Sequence, residues 1–566
     1  MPTFTIDGKT VPFEPGDTIL RAAYRAGIDI PYYCWHPGLS VAANCRMCLV
    51  EILPPPGRKP MMLDVLELDP STGQYVKVQK PKLQPACQVP ASENLQVLSD
   101  TSPHVLRARH AVQELLLLNH PVDCPICDQA GNCKLQDYWM KHMKSSKRMC
   151  DEPVHKPKAV SFGPTIIYDA ERCILCTRCV RFCREVAKDP VLSLRERGNV
   201  NEINLSPGRQ LDHPYSLMVE QVCPVGAMTS KDFRFKARVW FLRSAKVVCQ
   251  GCATGCNAWL DYDPRCQKAY RHRPRCNEKV NGHWMCDEGM LSYRTIEERR
   301  VTEAKSGSKA CGVDGVIAKI AAMFKQLAVD KVAVVLSASH SCEDNFALAR
   351  FGVSAGVSKW FIAAKPDGEG DQVLRHRDKN SNRRGVELVA EALGISLEPV
   401  ERLTDALTDG VSVVMWLGDE GTLSGTLPKT LATNATLVVL ASQSSAVTER
   451  ASVLVPTSGW AEASGVYVNH AGLGQASEAA LLPRGEAQPA WRVVGRLAAE
   501  LGHAKRWTKL AQLRGLMQEA EVLANVLVQA GVVEQAKQAA SDVAASQAPI
   551  GNNPEVAQAV AAPQGG

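Results

Sequence analysis

Long apolar runs, a secretory leader and a phosphate-binding glycine motif are all lacking in this sequence. No stretch approaches the roughly 18 uncharged apolar residues of a membrane-spanning helix, and the longest apolar patch near a predicted helix is residues 115–118. The amino terminus has no basic segment followed by an apolar run, which predicts a reducing compartment where thiols persist as ligands. No G-x-G-x-x-G motif occurs, and Gly472-Leu-Gly474 is too short to indicate a dinucleotide site.

Cysteine, by contrast, is plentiful, with 21 residues. Most of them fall into four bunched sets, and a histidine precedes one of the sets. In a reducing compartment such sets predict metal ligands and not disulfides, and their spacing favours a chain that carries electrons between iron-sulfur clusters. At 566 residues with 45% apolar content, the chain can bury several separate cores.

The amino-terminal region predicts a small strand-rich domain. Thr3–Ile6 alternates in polarity and residues 11–13 return after a turn, which is typical of a hairpin. Asp17 is the predicted N-cap of a helix over residues 18–26, and Gly27 is the predicted stop.

The first cysteine set combines a close trio with a distant fourth member: Cys34, Cys45, Cys48 and Cys87. Plant-type ferredoxins hold a 2Fe-2S cluster by such a trio and a distant cysteine, although the C-x10-C-x2-C spacing is wider here. Residues 54–81, with a proline-rich start, predict a surface insertion before the fourth cysteine. Taken alone, this set is equally consistent with a structural zinc site.

The second set is the most specific, with the spacing H-x3-C-x2-C-x5-C over His120, Cys124, Cys127 and Cys133. A helix is predicted over residues 105–118, and the histidine stands at its exit. Zinc readily accepts three thiolates and one imidazole. A histidine on a 4Fe-4S cluster is unusual, and as a neutral ligand it would raise the cluster's potential. His110 lies upstream on the helix and is predicted to be an ordinary histidine.

The third set is the C-x2-C-x2-C run of Cys173, Cys176 and Cys179. In bacterial ferredoxins this run supplies three corners of a 4Fe-4S cluster, and a distant Cys-Pro supplies the fourth. Cys223, which precedes a proline, and Cys183 compete for that corner. We favour Cys223 and expect Cys183 to be a buried neighbour.

The fourth set is glycine-rich, and a separate loop closes it: Cys249, Cys252, Cys256 and Cys286. Its glycines allow the backbone to fold tightly around a cluster. Cys266 and Cys276 lie within the gap and are alternative ligands, but their flanks are basic and contain no glycine. We rank them lower.

The formal charge of +6 does not predict nucleic-acid binding. Four thiolate-ligated clusters would contribute roughly seven negative charges and bring the total near zero. Aromatic residues make up only 6% of the chain, and no nucleic-acid motif occurs. The basic runs at residues 141–148 and 265–275 lie beside cysteine sets, where they could compensate buried negative charge.

The order of the four sets resembles the large iron-sulfur subunit of bacterial NADH:quinone oxidoreductase (respiratory complex I), whose mitochondrial counterpart is the 75 kDa subunit. The resemblance extends from residue 1 to about residue 300. It implies one 2Fe-2S cluster on the first set and three 4Fe-4S clusters on the other sets, with these ligands: Cys34, Cys45, Cys48, Cys87; His120, Cys124, Cys127, Cys133; Cys173, Cys176, Cys179, Cys223; and Cys249, Cys252, Cys256, Cys286. Only some bacterial members keep the fourth cluster. The insertion at residues 54–81 departs from the family pattern, and it separates Cys87 from the other three cysteines of the first set.

Beyond residue 300 the pattern alternates between strands and helices. Residues 331–336, 411–417 and 436–441 are predicted buried strands, and the helices between them suggest an open parallel sheet. The segment from residue 451 through Asn469 resembles the molybdopterin oxidoreductase family, but no metal-ligating cysteine in a recognisable cofactor setting follows Cys286. We therefore expect a shortened α/β domain without molybdopterin.

The expected fold is α+β followed by α/β, with an amino-terminal β-grasp 2Fe-2S domain. The predicted boundaries are 1–100 for the 2Fe-2S domain, 101–145 for the histidine-ligated domain, 146–240 for the ferredoxin-type 4Fe-4S domain, 241–300 for the fourth-cluster domain, 301–540 for the α/β domain and 541–566 for a disordered tail.

The resemblance implies electron transfer and no substrate-binding active site in this chain. Electrons from NADH would enter through a flavin subunit, reach the first set, and pass to the third set and then the second set on the way to quinone. Expected partners are the flavin/NADH-binding subunit, a 2Fe-2S subunit, and the quinone-site and 4Fe-4S connecting subunits. The expected location is the cytoplasmic face of the bacterial inner membrane, held there through the complex, with no nucleic-acid partner.

Two alternatives stay open from the sequence. One is an electron-relay subunit of an NAD-linked hydrogenase or formate dehydrogenase, which shares the first three sets. The other is a zinc-stabilised scaffold with no redox role.

Overall fold

The computed structural model describes residues 1–54, 59–419 and 435–533 of the chain. The predicted tail, residues 541–566, lies outside these ranges. In the part of the chain that is described, no helix has both the length and the apolar character of a membrane span.

The chain divides into two compact units, and each unit is built from segments that are separate in sequence. Unit 1 is Met1–Glu298 with Asp367–Lys379 and Ala479–Leu482, and unit 2 is Arg299–Pro366, Asn380–Glu478 and the chain from Pro483 onward.

Unit 1 contains strands β1 (Thr3–Ile6), β2 (Lys9–Pro12), β3 (Leu49–Leu53), β4 (Met62–Leu68), β5 (Tyr75–Pro81), β6 (Gln84–Pro85), β7 (Gln96–Leu98), β8 (Val160–Ser161), β9 (Ile166–Tyr168), β10 (Leu192–Arg195), β11 (Glu202–Leu205), β12 (Met228–Ser230), β13 (Arg243–Val248), β14 (Asn257–Asp263) and β15 (Lys268–Pro274). Its α-helices are α1 (Ile19–Arg25), α2 (Pro103–Leu117), α3 (Lys134–His142), α4 (Arg178–Glu185), α5 (Met218–Val222) and α6 (Asp287–Leu291).

The amino-terminal sheet has the strand order β2-β1-β7-β3-β6. The predicted hairpin is confirmed, since β1 and β2 pair antiparallel with Thr3 opposite Pro12. Strand β7 joins β1 in parallel, and the apolar face of α1 packs on this sheet to form one core.

The predicted N-cap of α1 is wrong by one residue. Thr18 caps the helix, because its hydroxyl accepts a hydrogen bond from the Arg21 backbone N–H at 3.3 Å. The Asp17 carboxylate is occupied elsewhere: it accepts from the Glu14 N–H at 2.7 Å and pairs with Arg25. Gly27 does follow the helix, at a φ of 70° that suits glycine.

The insertion forms a two-stranded antiparallel hairpin of β4 and β5. Its turn lies where Asp69 accepts hydrogen bonds from the backbone and hydroxyl of Ser71. Leu66 and Tyr75 are largely exposed, at 70% and 71%. The predicted surface position is observed for residues 59–81, and residues 55–58 lie outside the described part. That the segment is an insertion stays a prediction.

Three further small sheets complete unit 1. Strands β12, β9 and β8 form one antiparallel sheet, β10 and β11 form a hairpin, and β13, β14 and β15 form a third sheet. The predicted helix over residues 105–118 is observed as α2, with Ser102 as its N-cap. These short elements are joined by long loops, and most members of the cysteine sets lie in the loops, whereas Cys179 lies in α4.

Unit 2 contains strands β16 (Lys305–Ser306), β17 (Lys309–Ala310), β18 (Val332–Ser337), β19 (Lys359–Ala363), β20 (Glu398–Pro399), β21 (Val413–Leu417), β22 (Thr436–Ala441), β23 (Val453–Pro456), β24 (Gly465–Val468) and β25 (Gly474–Ser477). Its α-helices are α7 (Gly312–Gln326), α8 (Cys342–Ser354), α9 (Arg383–Leu393), α10 (Leu403–Thr408), α11 (Ala490–Glu500), α12 (Leu510–Met517) and α13 (Glu521–Gln529).

The main sheet of unit 2 has the order β17-β16-β23-β22-β21-β18-β19-β20. From β23 to β20 all neighbours are parallel, and β16 adds an antiparallel edge. All six residues of β18 are buried, because cores cover both faces of the sheet. The predicted parallel α/β arrangement is confirmed, and its three predicted strands are observed within two residues at each end.

Candidate metal centres

The first set lies in the loop between α1 and β3 and just after β6. Cys34, Cys48 and Cys87 are buried, and Cys45 is half-buried. The thiols form two neighbouring pairs, because Cys34 hydrogen-bonds with Cys45 and Cys48 with Cys87. The loop turns through left-handed residues at Ala43 and Arg46, with φ of 49° and 58°.

The electrostatics of this set favour a bound cation. The hydrogen bond to Cys34, and then burial, raise the pKa of Cys45. The hydrogen bond to Cys87, and then burial, raise the pKa of Cys48 well above its ordinary 9.0. The hydrogen bond with Cys45 lowers the pKa of Cys34 to about 5, so the thiols that stay protonated near pH 7 are Cys45 and Cys48. These two become thiolates only if positive charge enters the site, and bound iron would supply it.

The second set surrounds the exit of α2 and the start of α3. Cys127 and Cys133 are buried, Cys124 is half-buried, and Cys133 is the N-cap residue of α3. The Nδ1 atom of His120 is buried and has no hydrogen-bond partner within the described ranges. Burial, and then the charge of Arg172, lower the pKa of His120 to about 4. The imidazole is therefore neutral at pH 7, with an unused ring nitrogen, as a metal ligand requires.

His110 takes no part in this group. It is half-buried, and its Nε2 lies 3.3 Å from the Ser145 hydroxyl oxygen.

The third set lines a small cavity. Cys173, Cys176, Cys179 and Cys223 all face it, with apolar neighbours that include Ile203. Burial raises the pKa of Cys173, Cys176 and Cys223 to about 11. The residues Leu175 and Thr177 adopt left-handed φ values of 53° and 60°, which wind the C-x2-C-x2-C run around the cavity.

Cys183 does not line that cavity. It is fully buried, and its Sγ lies 3.6 Å from Nε2 of His213. This placement supports Cys223 over Cys183 as the fourth member of the third set.

The fourth set lies between β13 and β14 and at the N-terminus of α6. All four cysteines are buried, whereas Cys266 and Cys276 are exposed. The Cys249 backbone N–H donates to the Cys256 carbonyl at 2.9 Å, which closes the loop. Cys249 and Cys286 both lie close to Gly289. A Cβ added at Gly289 would lie 3.1 Å from Cys249 Sγ and 3.5 Å from Cys286 Sγ.

The residues present fit iron-sulfur groups on three observations. These are the cavity that four cysteines line, the buried and unpartnered His120 nitrogen, and the paired thiols of the first set. Among the described residues, no three or more His, Cys, Asp or Glu side chains are grouped closely enough to hold a single metal ion. An iron-sulfur cluster spreads its ligands over several iron atoms, so it accepts a wider spacing than a single ion does.

The ligand loops contact one another within unit 1. The Lys134 N–H, after Cys133, donates to the Pro224 carbonyl, after Cys223, at 3.3 Å. His36, two residues after Cys34, stacks on Trp284 of the fourth-set loop with ring centroids 5.2 Å apart. Contacts of this kind bring sets that are distant in sequence into one group.

Two arginines next to the third set contact the first set, and the sequence did not predict this role. Arg178 and Arg181 lie on α4 and donate to backbone carbonyls of the first set's loop, at Trp35 and Cys34. The only sequence signal is their position between the cysteines of the run Cys-Thr-Arg-Cys-Val-Arg-Phe-Cys.

The basic runs expected to compensate the clusters are engaged elsewhere. The Arg148 side chain is 85% exposed and pairs with Glu114. Arg265 pairs with Asp263, and Arg271 and Arg273 both pair with Asp261. Arg148 and Arg265 each have a carboxylate partner, whereas Arg271 and Arg273 share the single negative charge of Asp261. Compensation of cluster charge by these runs stays a prediction.

Four family models match the chain. They are a 2Fe-2S iron-sulfur cluster binding domain over residues 1–102, the NADH-ubiquinone oxidoreductase-G iron-sulfur binding region over 109–148, the NADH-quinone oxidoreductase subunit 3 ferredoxin-like domain over 163–229, and molybdopterin oxidoreductase over 324–500.

Curated relatives bear the name of the large iron-sulfur subunit. The G subunit of NADH-quinone oxidoreductase from Streptomyces coelicolor is 36% identical over 298 residues, which is 52% of this chain and 32% of that protein. The chain is similar to this oxidoreductase subunit. The corresponding protein of Rickettsia bellii is 33% identical over 362 residues, 63% of this chain and 49% of that protein. The NADH-ubiquinone oxidoreductase 75 kDa subunit of Reclinomonas americana is 37% identical over 296 residues, 52% of this chain and 39% of that protein. The chain thus spans about a third to a half of the length of these relatives.

The predicted layout of a large iron-sulfur subunit is confirmed. An amino-terminal 2Fe-2S ferredoxin-like domain is followed by 4Fe-4S domains and a carboxyl-terminal domain similar to molybdopterin oxidoreductase. A solved NAD+-reducing NiFe-hydrogenase is 29% identical, with a match that covers 42% of this chain and 91% of that chain at a TM-score of 0.34.

Proposed function

We propose that this chain is an iron-sulfur electron-relay subunit in the peripheral arm of an NADH:quinone oxidoreductase. The observation that carries the proposal is the cysteine-lined cavity of the third set, in a chain related to the large iron-sulfur subunit of that enzyme. The three other sets supply further buried thiols and one neutral imidazole in the same unit.

In this proposal the first set holds one 2Fe-2S cluster and the other three sets hold one 4Fe-4S cluster each, with the ligands already named. Bound clusters would supply one-electron transfer. Unit 2 is proposed to carry no molybdopterin.

The protein's own part is to prepare the ligands and exclude water. Burial raises the pKa of the third-set thiols Cys173 and Cys223, so they ionise only when iron balances their charge. Because His120 stays neutral, it offers a lone pair without adding negative charge. Burial of the sulfur atoms and the hydrogen bonds around them are the means by which the chain would tune each potential.

The proposed partners are the flavin/NADH-binding subunit, a 2Fe-2S subunit, and the quinone-site and 4Fe-4S connecting subunits. The proposed place is the cytoplasmic face of the bacterial inner membrane, reached through these partners. The domain boundaries predicted from the sequence belong to the same proposal.

The deciding experiment is affinity purification of the full chain from its native membrane. Expected results are co-purification of flavin-binding and quinone-site subunits, iron and acid-labile sulfide in the purified material, and EPR signals on reduction. Cys176→Ser should remove the signal of one 4Fe-4S cluster. Cys150→Ser is the matched control, because Cys150 is exposed and belongs to no set.

Other outcomes would point to the alternatives. Zinc in place of iron and sulfide would favour a non-redox scaffold. Molybdenum, or a hydrogenase partner in place of quinone-site subunits, would favour the formate dehydrogenase or hydrogenase relay.

A further inference from the structure

Two buried arginines join the first and third sets. Arg178 and Arg181 are each 5% exposed and lie on α4, on either side of Cys179 of the third set. Arg178 donates to the Val222 carbonyl, next to Cys223, at 3.1 Å, and also to the Trp35 carbonyl, next to Cys34. Each end of this guanidinium thus contacts a residue adjacent to a proposed ligand.

Arg181 makes the same kind of connection. Its guanidinium donates to the Cys34 carbonyl of the first set and to the Cys176 carbonyl of the third set, the latter at 3.3 Å. It also donates to the Ser40 carbonyl and the Thr177 hydroxyl. Every one of these acceptors is uncharged.

This pattern differs from that of the other buried arginines. Four arginines are buried in the described part of the chain: Arg109, Arg172, Arg178 and Arg181. Arg109 pairs with Asp100 at 2.6 Å and Arg172 with Asp123 at 2.9 Å. Arg178 and Arg181 form no ion pair with a carboxylate among the described residues. The nearby Glu185 accepts from Ser40 and pairs with Arg184 instead.

A buried guanidinium without a negative partner is costly, so such groups are rarely retained. The negative charge that faces these arginines is therefore expected to come from the ligand sets themselves, once the thiols are ionised and iron is bound.

We propose that Arg178 and Arg181 balance the negative charge of the clusters held by the first and third sets, and that they set the reduction potentials of both clusters. The inference rests on the proposed function, because it requires those clusters to be present. Reduction adds an electron to an already negative group. A fixed buried cation nearby favours that reduced state and raises the potential. Both arginines are positioning residues, since neither is itself a ligand.

The test uses the full chain in its native complex, titrated potentiometrically with EPR detection of each cluster. Arg181→Gln keeps amide donors but removes the charge, and Arg181→Lys keeps the charge. We expect R181Q to disfavour the reduced form by about tenfold or more, which for one electron is a shift of about 59 mV to lower potential. R181K should shift the reduction potential far less, because lysine keeps the positive charge. R184Q is the matched control on the same helix, because the Arg184 side chain is 63% exposed.

No shift in R181Q, or equal shifts in R181Q and R181K, would overturn the inference. If R181Q loses iron and sulfide, R178Q and R178K are titrated in the same way. Cluster loss in both glutamine variants, with retention in both lysine variants, would also support a role for the charge, whereas loss in all four would refute it. Absence of iron and of EPR signals from the wild-type protein would instead defeat the proposed function, so the two failures are distinguishable.

Discussion

Replacing Gly226 by alanine should remove the cluster of the second set while unit 1 stays folded. Gly226 lies in the loop after Cys223, yet a Cβ at this position would lie 2.2 Å from Cys127 Sγ. The closest ordinary contact of a Cβ is 3.4 Å, so the sulfur must move by the difference, about 1.2 Å. Metal sites tolerate displacements of only about 0.2 Å in ligand distance.

The expected consequence differs between the protein with and without metal. Without metal, the Cys127 side chain can rotate away, and the cost should be that of a local overpacking, about 1–3 kcal/mol. With metal, rotation removes a ligand. The second-set cluster should therefore be lost, while the other clusters and the fold persist.

The assay is iron and acid-labile sulfide content, combined with EPR of the individual clusters in the full chain. The control is Gly515→Ala in α12, because nothing lies within 4 Å of a Cβ there. That variant should keep all clusters and gain about 0.5–1 kcal/mol of stability from the helix. Wild-type iron content and an unchanged second-set signal in G226A would refute the placement of Cys127 as a ligand beside Gly226.

Three further predictions concern the ligand histidine, the core of unit 2 and a buried carboxylate. H120C should keep a cluster but lower its potential, because a thiolate adds negative charge, and an unchanged redox titration would contradict this. L336A, at a fully buried position of β18, should lower the free energy of unfolding in urea by about 2–5 kcal/mol. A decrease below about 1 kcal/mol would contradict this and would mean that neighbouring side chains fill the cavity. Burial alone would raise the pKa of Asp261, but hydrogen bonds and charges from Arg273 and Arg271 leave it below its ordinary 3.8. The stability that this carboxylate supplies is therefore present above that pH and is lost as the pH falls further. D261N should be less stable than wild type at pH 7, and urea midpoints should converge on acidification; a difference independent of pH would contradict it.

The elements that the sequence predicted well depend on local signals. Alternation in Thr3–Ile6 and the turn after it specified the first hairpin, and the apolar runs of β18, β21 and β22 specified the parallel sheet. The N-cap of α1 was misplaced because Asp17 and Thr18 are both good capping residues, and only the competing contacts of Asp17 with Glu14 and Arg25 decide between them.

Charge compensation by the basic runs stays a prediction, and the structure adds the carboxylate partners of their arginines. The runs at 141–148 and 265–275 are near cysteines in sequence, but their arginines pair with Glu114, Asp263 and Asp261. Asp263 is only two residues from Arg265, but Glu114 lies on α2, 34 residues before Arg148, and Asp261 lies on the strand next to that of Arg271. Sequence proximity therefore indicates the first partner and not the other two.

Cysteine spacing by itself determined that four groups of candidate ligands exist and what chemistry they favour, because ligands three to six residues apart can converge from a single loop. Only the tertiary structure decided which distant cysteine approaches each group, since Cys223 faces the cavity of the third set while Cys183 turns towards His213. It also decided that Arg178 and Arg181 reach carbonyls more than 140 positions away in sequence. Such contacts are made by the packing of separate loops, and no local pattern encodes that packing.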